Sequence, residues 1–306
     1  MTSSHWHVLF IYLGFTAIAT LLAMAKRWLK PGAEGGSVWQ KYPTYILINL
    51  CFLGACSAPS DWHILTGLLA ILGGFASWEI VRALRSPRED RAADKQDLAV
   101  MPYPFASLLL IAAGGWLDAS DWFNVWLIVF LSFAILNTLI GSPYNYTGRA
   151  LAAFAAIAYL PICLVHYVWL RVADEAGFIA AFLYLTVAAN DAMAQIIGEL
   201  FGSRALAPHI SPSKTIEGAL GGVLFAGAMG AALSSTAGWS YFWGTVLGLA
   251  TGLAGLSGDL TASVWKRALG LKNFSALLGA QGGVLDRFDG LILAAPFLYL
   301  SILIVF

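Results

Sequence analysis

The sequence predicts an all-α fold: a polytopic integral membrane protein of about ten transmembrane helices. Three observations carry that expectation. Of 306 residues, 59% are hydrophobic and only 11% charged, with a mean hydropathy of +0.75. A soluble domain carries roughly a quarter charged residues, so this chain lacks the polar surface to cover a water-soluble globule. Its apolar residues also fall in runs of about 20, the length of a bilayer-spanning helix, rather than the short alternating segments of a barrel. Third, the basic residues sort to one side of the resulting topology.

Ten runs qualify in order: 5–25, 42–58, 62–82, 100–117, 122–141, 150–170, 177–198, 215–235, 239–257 and 287–306. The second is short for a span. Placed between these runs, 16 of the 17 lysines and arginines fall in one set of loops, and Arg171 stands alone in the other. The positive-inside rule makes the first set cytoplasmic and puts both termini outside. The first run has its positive charges after it, so it reads as a retained reverse anchor rather than a cleaved signal peptide. Residues 85–98, RSPREDRAADKQDL, read as a solvated cytoplasmic linker.

Several classes are excluded early. A net charge of zero argues against a nucleic-acid partner. Cys51, Cys56 and Cys163 are odd in number, lie in apolar stretches and show no ligand spacing, so they read as residues packed in helices. The five histidines are too scattered for a zinc site. No internal repeat suggests the inverted halves of a transporter, and an anionic-solute transporter would want polar residues near the bilayer midplane.

Polar residues become dense only after residue 190, at the cytoplasmic ends of the runs. Asn190, Asp191, Gln195 and Glu199 follow one another so that the last three share a helix face. Carboxylates on a spanning helix are costly and normally face a watery cavity or a partner. SPSKTIEG (211–218) places Ser211, Ser213, Lys214 and Thr215 beside a new helix start, a natural anion site. Ser211 and Pro212 read equally as capping punctuation.

The second cluster spans 258–290. Asp259, Ser263, Lys266 and Arg267 form one helical stripe, and Asp286 and Asp289 are spaced i, i+3 at the start of the last run. Asp259, Asp286 and Asp289 together suit a hard cation such as Mg²⁺ that also holds phosphates. Gly282 and Gly283 allow close backbone approach to a phosphate. Lys266, Arg267, Lys272 and Arg287 supply charge for a polyphosphate.

These residues resemble the signature of the CDP-diacylglycerol synthases, or phosphatidate cytidylyltransferases. Ser263, Lys266, Arg267, Lys272, Gly282, Gly283, Asp286, Arg287 and Asp289 match its S-x-x-K-R and G-G-x-x-D-R-x-D pattern. Asp191, Phe201-Gly202, Ser211, Pro212, Lys214, Thr215, Glu217, Gly218, Gly221 and Gly222 match the segment that precedes it. The match covers about 100 residues; residues 1–140 resemble the family only as an apolar helical region, so the catalytic region is expected within 141–306.

The resemblance implies CTP and phosphatidic acid as substrates, CDP-diacylglycerol and pyrophosphate as products, and a role in phospholipid biosynthesis. It implies Mg²⁺, alone or with a second cation, on Asp259, Asp286 and Asp289. Asp259, Lys266, Asp286 and Asp289 become the expected catalytic residues. Asn190, Asp191, Ser211, Lys214, Thr215, Ser263, Arg267, Lys272, Gly282, Gly283 and Arg287 become the expected substrate-binding ones. The site then faces the cytoplasm at the inner membrane, among membrane lipids, and a homodimer is compatible with this. The chain departs from the signature at Ala262, Asn273 and Gln281, where the family carries an acidic residue, an aspartate and a histidine. Asn and Gln keep hydrogen-bonding capacity but lose the charge and the titratable imidazole. A CTP-dependent lipid or polyprenol kinase, or a cytidylyltransferase for a non-diacyl lipid phosphate, are the neighbouring readings.

Overall fold

A computed structural model describes residues 3–29, 36–56, 62–84, 102–140, 146–174, 176–279 and 282–306. The linker expected at 85–98 lies outside the described residues, as does Gln281. Each of the ten apolar runs contains a helix among its described residues. They form α1 (Ser3–Leu29), α2 (Gly36–Cys56), α3 (Trp62–Leu84), α4 (Pro102–Ala113), α5 (Ala119–Ile140), α6 (Tyr146–Ala153), α7 (Leu160–Ala173), α8 (Phe178–Phe201), α9 (Ile216–Leu233), α10 (Tyr241–Ala268) and α11 (Leu285–Val305). A π-helical turn, Phe154–Tyr159, joins α6 to α7, so those two form one rod.

Five helices are long and apolar enough over their described residues to cross a bilayer: Trp62–Leu84, Ala150–Ala173, Phe178–Phe201, Ile216–Leu233 and Leu285–Val305. Shorter apolar stretches occupy Trp6–Ile18, Ile46–Cys56, Pro102–Ala113 and Ala119–Ile135. The protein is a helical membrane protein, with lipid-type faces such as Ile128, Leu131 and Ile135 on α5 and Leu220 and Leu224 on α9 left exposed. Two runs differ from expectation. α4 has 12 residues, which at 1.5 Å each reach only about 18 Å against a hydrocarbon core of about 30 Å. It stops where Gly114 and Gly115 turn the chain. α10 runs three turns past its apolar stretch, and its glycines and hydroxyls lower its hydropathy.

Local chemistry explains several joints. Pro161 has no N–H for the carbonyl of Ile157, four residues before it. The Trp126 indole donates to that carbonyl at 2.7 Å instead, which ties α5 to the π-turn. Asp118 caps α5, accepting from Asp121 N at 2.9 Å and Ser120 Oγ at 2.8 Å, and these bonds hold its carboxyl below the usual carboxylate range. Close approach of α8, α9 and α10 depends on small residues. A Cβ on Gly222 would meet Asn190 O at 2.6 Å, and one on Gly252 would meet the Ala226 side chain at 2.7 Å.

The all-α expectation needs one correction. Between α8 and α9 the chain forms a hairpin of β1 (Ala205–Ala207) and β2 (Ser211–Thr215), antiparallel, with Ala205 opposite Thr215 and Ala207 opposite Ser211. Pro208 and Pro212 cannot donate within a helix; Pro208 opens the turn and Pro212 lies in the extended β2. The helix start is also displaced. Thr215, not Ser211, caps α9, its Oγ1 accepting from Gly218 N at 3.1 Å. Among the cysteines, Cys56 and Cys163 are buried as expected, whereas Cys51 is exposed on α2.

The principal core draws on both sides of residue 140. Tyr12 of α1, Phe52 of α2, Leu69 of α3, Tyr167 of α7, Phe182 of α8 and Leu291 of α11 belong to one buried cluster. Phe52 stacks on Tyr184 at 4.6 Å and meets Phe288 at 5.1 Å. The division at residue 140 is therefore one of sequence, and the two regions share packing in space.

Candidate active site

The polar residues of the C-terminal half converge at one end of the bundle. The wall is built from the C-terminal turns of α8 and α10, the hairpin, the loop 269–284 and the first turn of α11. On α8, Gln195 Nε2 donates to Glu199 Oε1 at 3.1 Å, so the predicted shared face exists. Asn190, 2% exposed, donates from Nδ2 to Asp191 Oδ1 at 3.2 Å, while its Oδ1 is buried without a hydrogen-bond partner.

Two lysines organise the carboxylates. Lys214, on β2, forms an ion pair with Asp259 of α10. Lys266, two turns further along α10, lies 2.8 Å from Asp286 Oδ1 and 4.0 Å from Asp289 Oδ2. The two carboxylates of α11 thus point the same way, as their i, i+3 spacing predicted, and the charge they meet is that of Lys266. Asp289 is 6% exposed, and Asp191, Asp259 and Asp289 lie close enough to repel one another, with Lys214, Lys266 and Arg287 as the countercharges. Among the described residues no three carboxylates, thiols or imidazoles are drawn to one point as a metal-holding group, because the lysines stand between them. The carboxylates come from three helices and are oxygen donors of the kind a hard divalent cation takes, whereas the unpartnered Asn190 oxygen lies against Gly222 and Gly252 in the helix packing.

Several expected substrate contacts are engaged within the protein. Asp286 Oδ2 accepts from Phe274 N and Gly283 N, both at 2.9 Å, which pins the loop to the helix start. Gly282, at φ +83°, leaves no space for a side chain beside Asp286 Oδ2, 2.8 Å from its would-be Cβ. The close approach that this glycine pair permits is therefore to the chain's own carboxylates. Arg267 donates from Nε to Ile210 O at 3.0 Å and from Nη1 to Leu271 O at 3.2 Å, fastening the hairpin tip to the end of α10. Ser263 is buried on α10, Ser211 is half-buried in the hairpin, and Lys272 and Asn273 are exposed on the loop. Ala262, one of the departures from the signature the sequence resembles, is buried in the helix packing.

Sequence reasoning missed Glu79. This α3 residue is fully buried and accepts from Val284 N, Leu285 N and Ser275 Oγ at 2.9, 2.9 and 2.6 Å. The signal was present, since Glu79 is a lone carboxylate in the apolar run 62–82. Glu217 was noticed only as a motif position; it gathers Ser203 N, Ser203 Oγ and Arg204 N at the base of the hairpin.

Comparison with known proteins follows this geometry. The cytidylyltransferase family model matches residues 39–305. The Escherichia coli (strain K12) protein YnbB, itself uncharacterized, is 27% identical over 293 residues, covering 91% of this chain and 92% of that protein. The phosphatidate cytidylyltransferase of Aquifex aeolicus is 45% identical over 111 residues, 36% of this chain and 42% of the relative. That of Bacillus subtilis is 31% identical over 175 residues, 55% of this chain and 65% of the relative. The chain spans about half the length of such enzymes and nearly all of YnbB. With a family match across most of its length, this protein belongs to the cytidylyltransferase family, as a diverged nucleotidyltransferase in the membrane.

Proposed function

We propose that the protein transfers the cytidylyl group of CTP to phosphatidic acid or a similar lipid phosphate, giving CDP-diacylglycerol and pyrophosphate for phospholipid synthesis. The observation that carries this reading is the lysine-bridged carboxylate cluster of Asp191, Asp259, Asp286 and Asp289 at one end of the bundle. We further propose about ten passes through the cell's inner membrane, α4 being too short to cross as a helix alone, with this end in the cytoplasm, where CTP is available. Asymmetry of the basic residues supports that orientation.

In the reaction, an oxygen of the lipid phosphate attacks the α-phosphorus of CTP. A P–O bond forms there, and the bond to the bridging α–β oxygen breaks, releasing pyrophosphate. A phosphomonoester is already largely ionised near neutral pH, so no strong general base is required. The chain's task is placement and charge neutralisation. Lys214 and Lys266 exchange a carboxylate for a phosphate oxygen with little movement. Arg287 and exposed Lys272 add charge at the mouth. Asn190 and Asp191 face the nucleotide from α8. Asp259, Asp286 and Asp289 would hold Mg²⁺, alone or with a second cation. When bound, the cation neutralises charge on the triphosphate.

The test is direct. Purified protein in lipid nanodiscs receives CTP labelled at the α-phosphorus, Mg²⁺ and phosphatidic acid. Expected is a labelled nucleotide-lipid with release of pyrophosphate, lost in Asp286→Asn. Release of CDP would identify a kinase instead, and activity only with a non-diacyl lipid phosphate would change the acceptor. No labelled lipid from any lipid phosphate, at levels where Asp286→Asn equals the wild type, would sink the transferase reading.

A further inference from the structure

We propose that Glu79 of α3 is a positioning residue for the reaction, a clamp by which the N-terminal region sets the height and rotation of α11's first turn. This rests on the transferase reading above.

A fully buried carboxylate in an apolar helix is costly by itself. Here both oxygens are used: Oε1 accepts from Val284 N and Ser275 Oγ, and Oε2 accepts from Leu285 N. These two N–H groups open α11, where the helix leaves its first donors unserved and its dipole is positive. Val284 lines an apolar cavity with Leu69, Leu72, Ala76 and Leu164, so the carboxylate meets these N–H groups in apolar surroundings. Donors from α11 and the loop, and no lysine or arginine among the described residues, meet the charge.

Position gives the clamp its consequence. Asp286 follows Leu285 directly, and Asp289 lies one turn further on. Between Glu79 and Asp286 the chain is held at five donors: Phe274 N, Ser275 Oγ, Gly283 N, Val284 N and Leu285 N. Gly283 fits this closely, since a Cβ there would meet Glu79 Oε1 at 2.5 Å. α3 thereby fixes where the two aspartates meet Lys266, although it carries none of the motif. A displacement of about 1 Å in such a constellation costs up to about 100-fold in rate.

Glu79→Gln keeps the volume but faces one of the N–H groups with its own NH₂. In full-length protein in nanodiscs, kcat with CTP and phosphatidic acid should fall about 10- to 100-fold, with the CTP KM within about threefold because Lys214 and the hairpin are untouched. Amide hydrogen exchange over 274–287 should accelerate about tenfold or more, with α8–α10 exchange and the thermal midpoint near wild type. If Glu79→Gln does not accumulate, Gly283→Ala pushes on the same carboxylate and carries the same expectations. Unchanged kcat, or exchange that rises throughout the bundle with a collapsed midpoint, overturns the proposal. The exchange readout needs no turnover, so an inactive wild type would count against the transferase reading while the clamp is still judged.

Discussion

The ammonium group of Lys266 keeps two aspartates of one helix turn together and also lies 5.7 Å from the centre of the Phe274 ring. Removing it leaves Asp286 and Asp289 facing each other in a largely buried setting. Breaking a buried pair by deleting one partner costs about 3–5 kcal/mol, and loss of one charge-stabilising donor in an active site costs about 10²–10³ in kcat. Lys266→Met should therefore lower both the thermal midpoint and the rate of labelled-lipid formation, the latter by at least about 100-fold. Lys266→Arg should not restore the rate, because a planar fork cannot serve as a compact point charge between two carboxylates. A Lys266→Met enzyme with near-normal turnover would place the chemistry elsewhere.

At the scale of elements, the hairpin delivers Lys214 to Asp259, and Arg267 donates to Ile210 O at its tip. Arg267→Gln should free Ile210 O and loosen the hairpin, raising the CTP KM about tenfold. Stability should change by only about 1 kcal/mol, the worth of a typical exposed hydrogen bond. The measurement is a KM series beside a melting curve; an unchanged KM would mean that the hairpin holds its place without Arg267. How legible these elements were depends on how local their physics is. The stripe Asp259–Ser263–Lys266–Arg267 and the Asp286–Asp289 pair follow from helical periodicity alone, and both appear where expected. The hairpin was not legible, because strands of three and five residues with a proline in the second carry no alternating pattern. For Glu79 only the oddity of a carboxylate in an apolar run was legible: its partners lie more than 190 residues away, a distance that no local pattern bridges. Gly282 and Gly283 announced a close approach, but a glycine cannot say what approaches it.

For the whole molecule, the two ends of the bundle are chemically unlike. One end collects Arg204, Lys214, Lys266, Arg267, Lys272 and Arg287. The other carries Trp62, His63 and Trp116 in mutual ring contact, with Trp239 and Trp243 against Phe306. Basic residues mark the cytoplasmic side, and aromatic residues favour the bilayer interface. On the proposed topology three crossings, α5, the α6–α7 rod and α8, separate Trp116 from His209 at the hairpin tip, which puts these residues on opposite faces. Single cysteines at the two positions test this in a background with Cys51 replaced, since Cys56 and Cys163 are buried. Both sites are exposed. His209→Cys should react with a membrane-impermeant thiol reagent only in inside-out vesicles, and Trp116→Cys only in right-side-out ones. Labelling of both from one side would remove a crossing between them. Labelling with the sides exchanged would turn the site away from the cytoplasm, where CTP is made available to it.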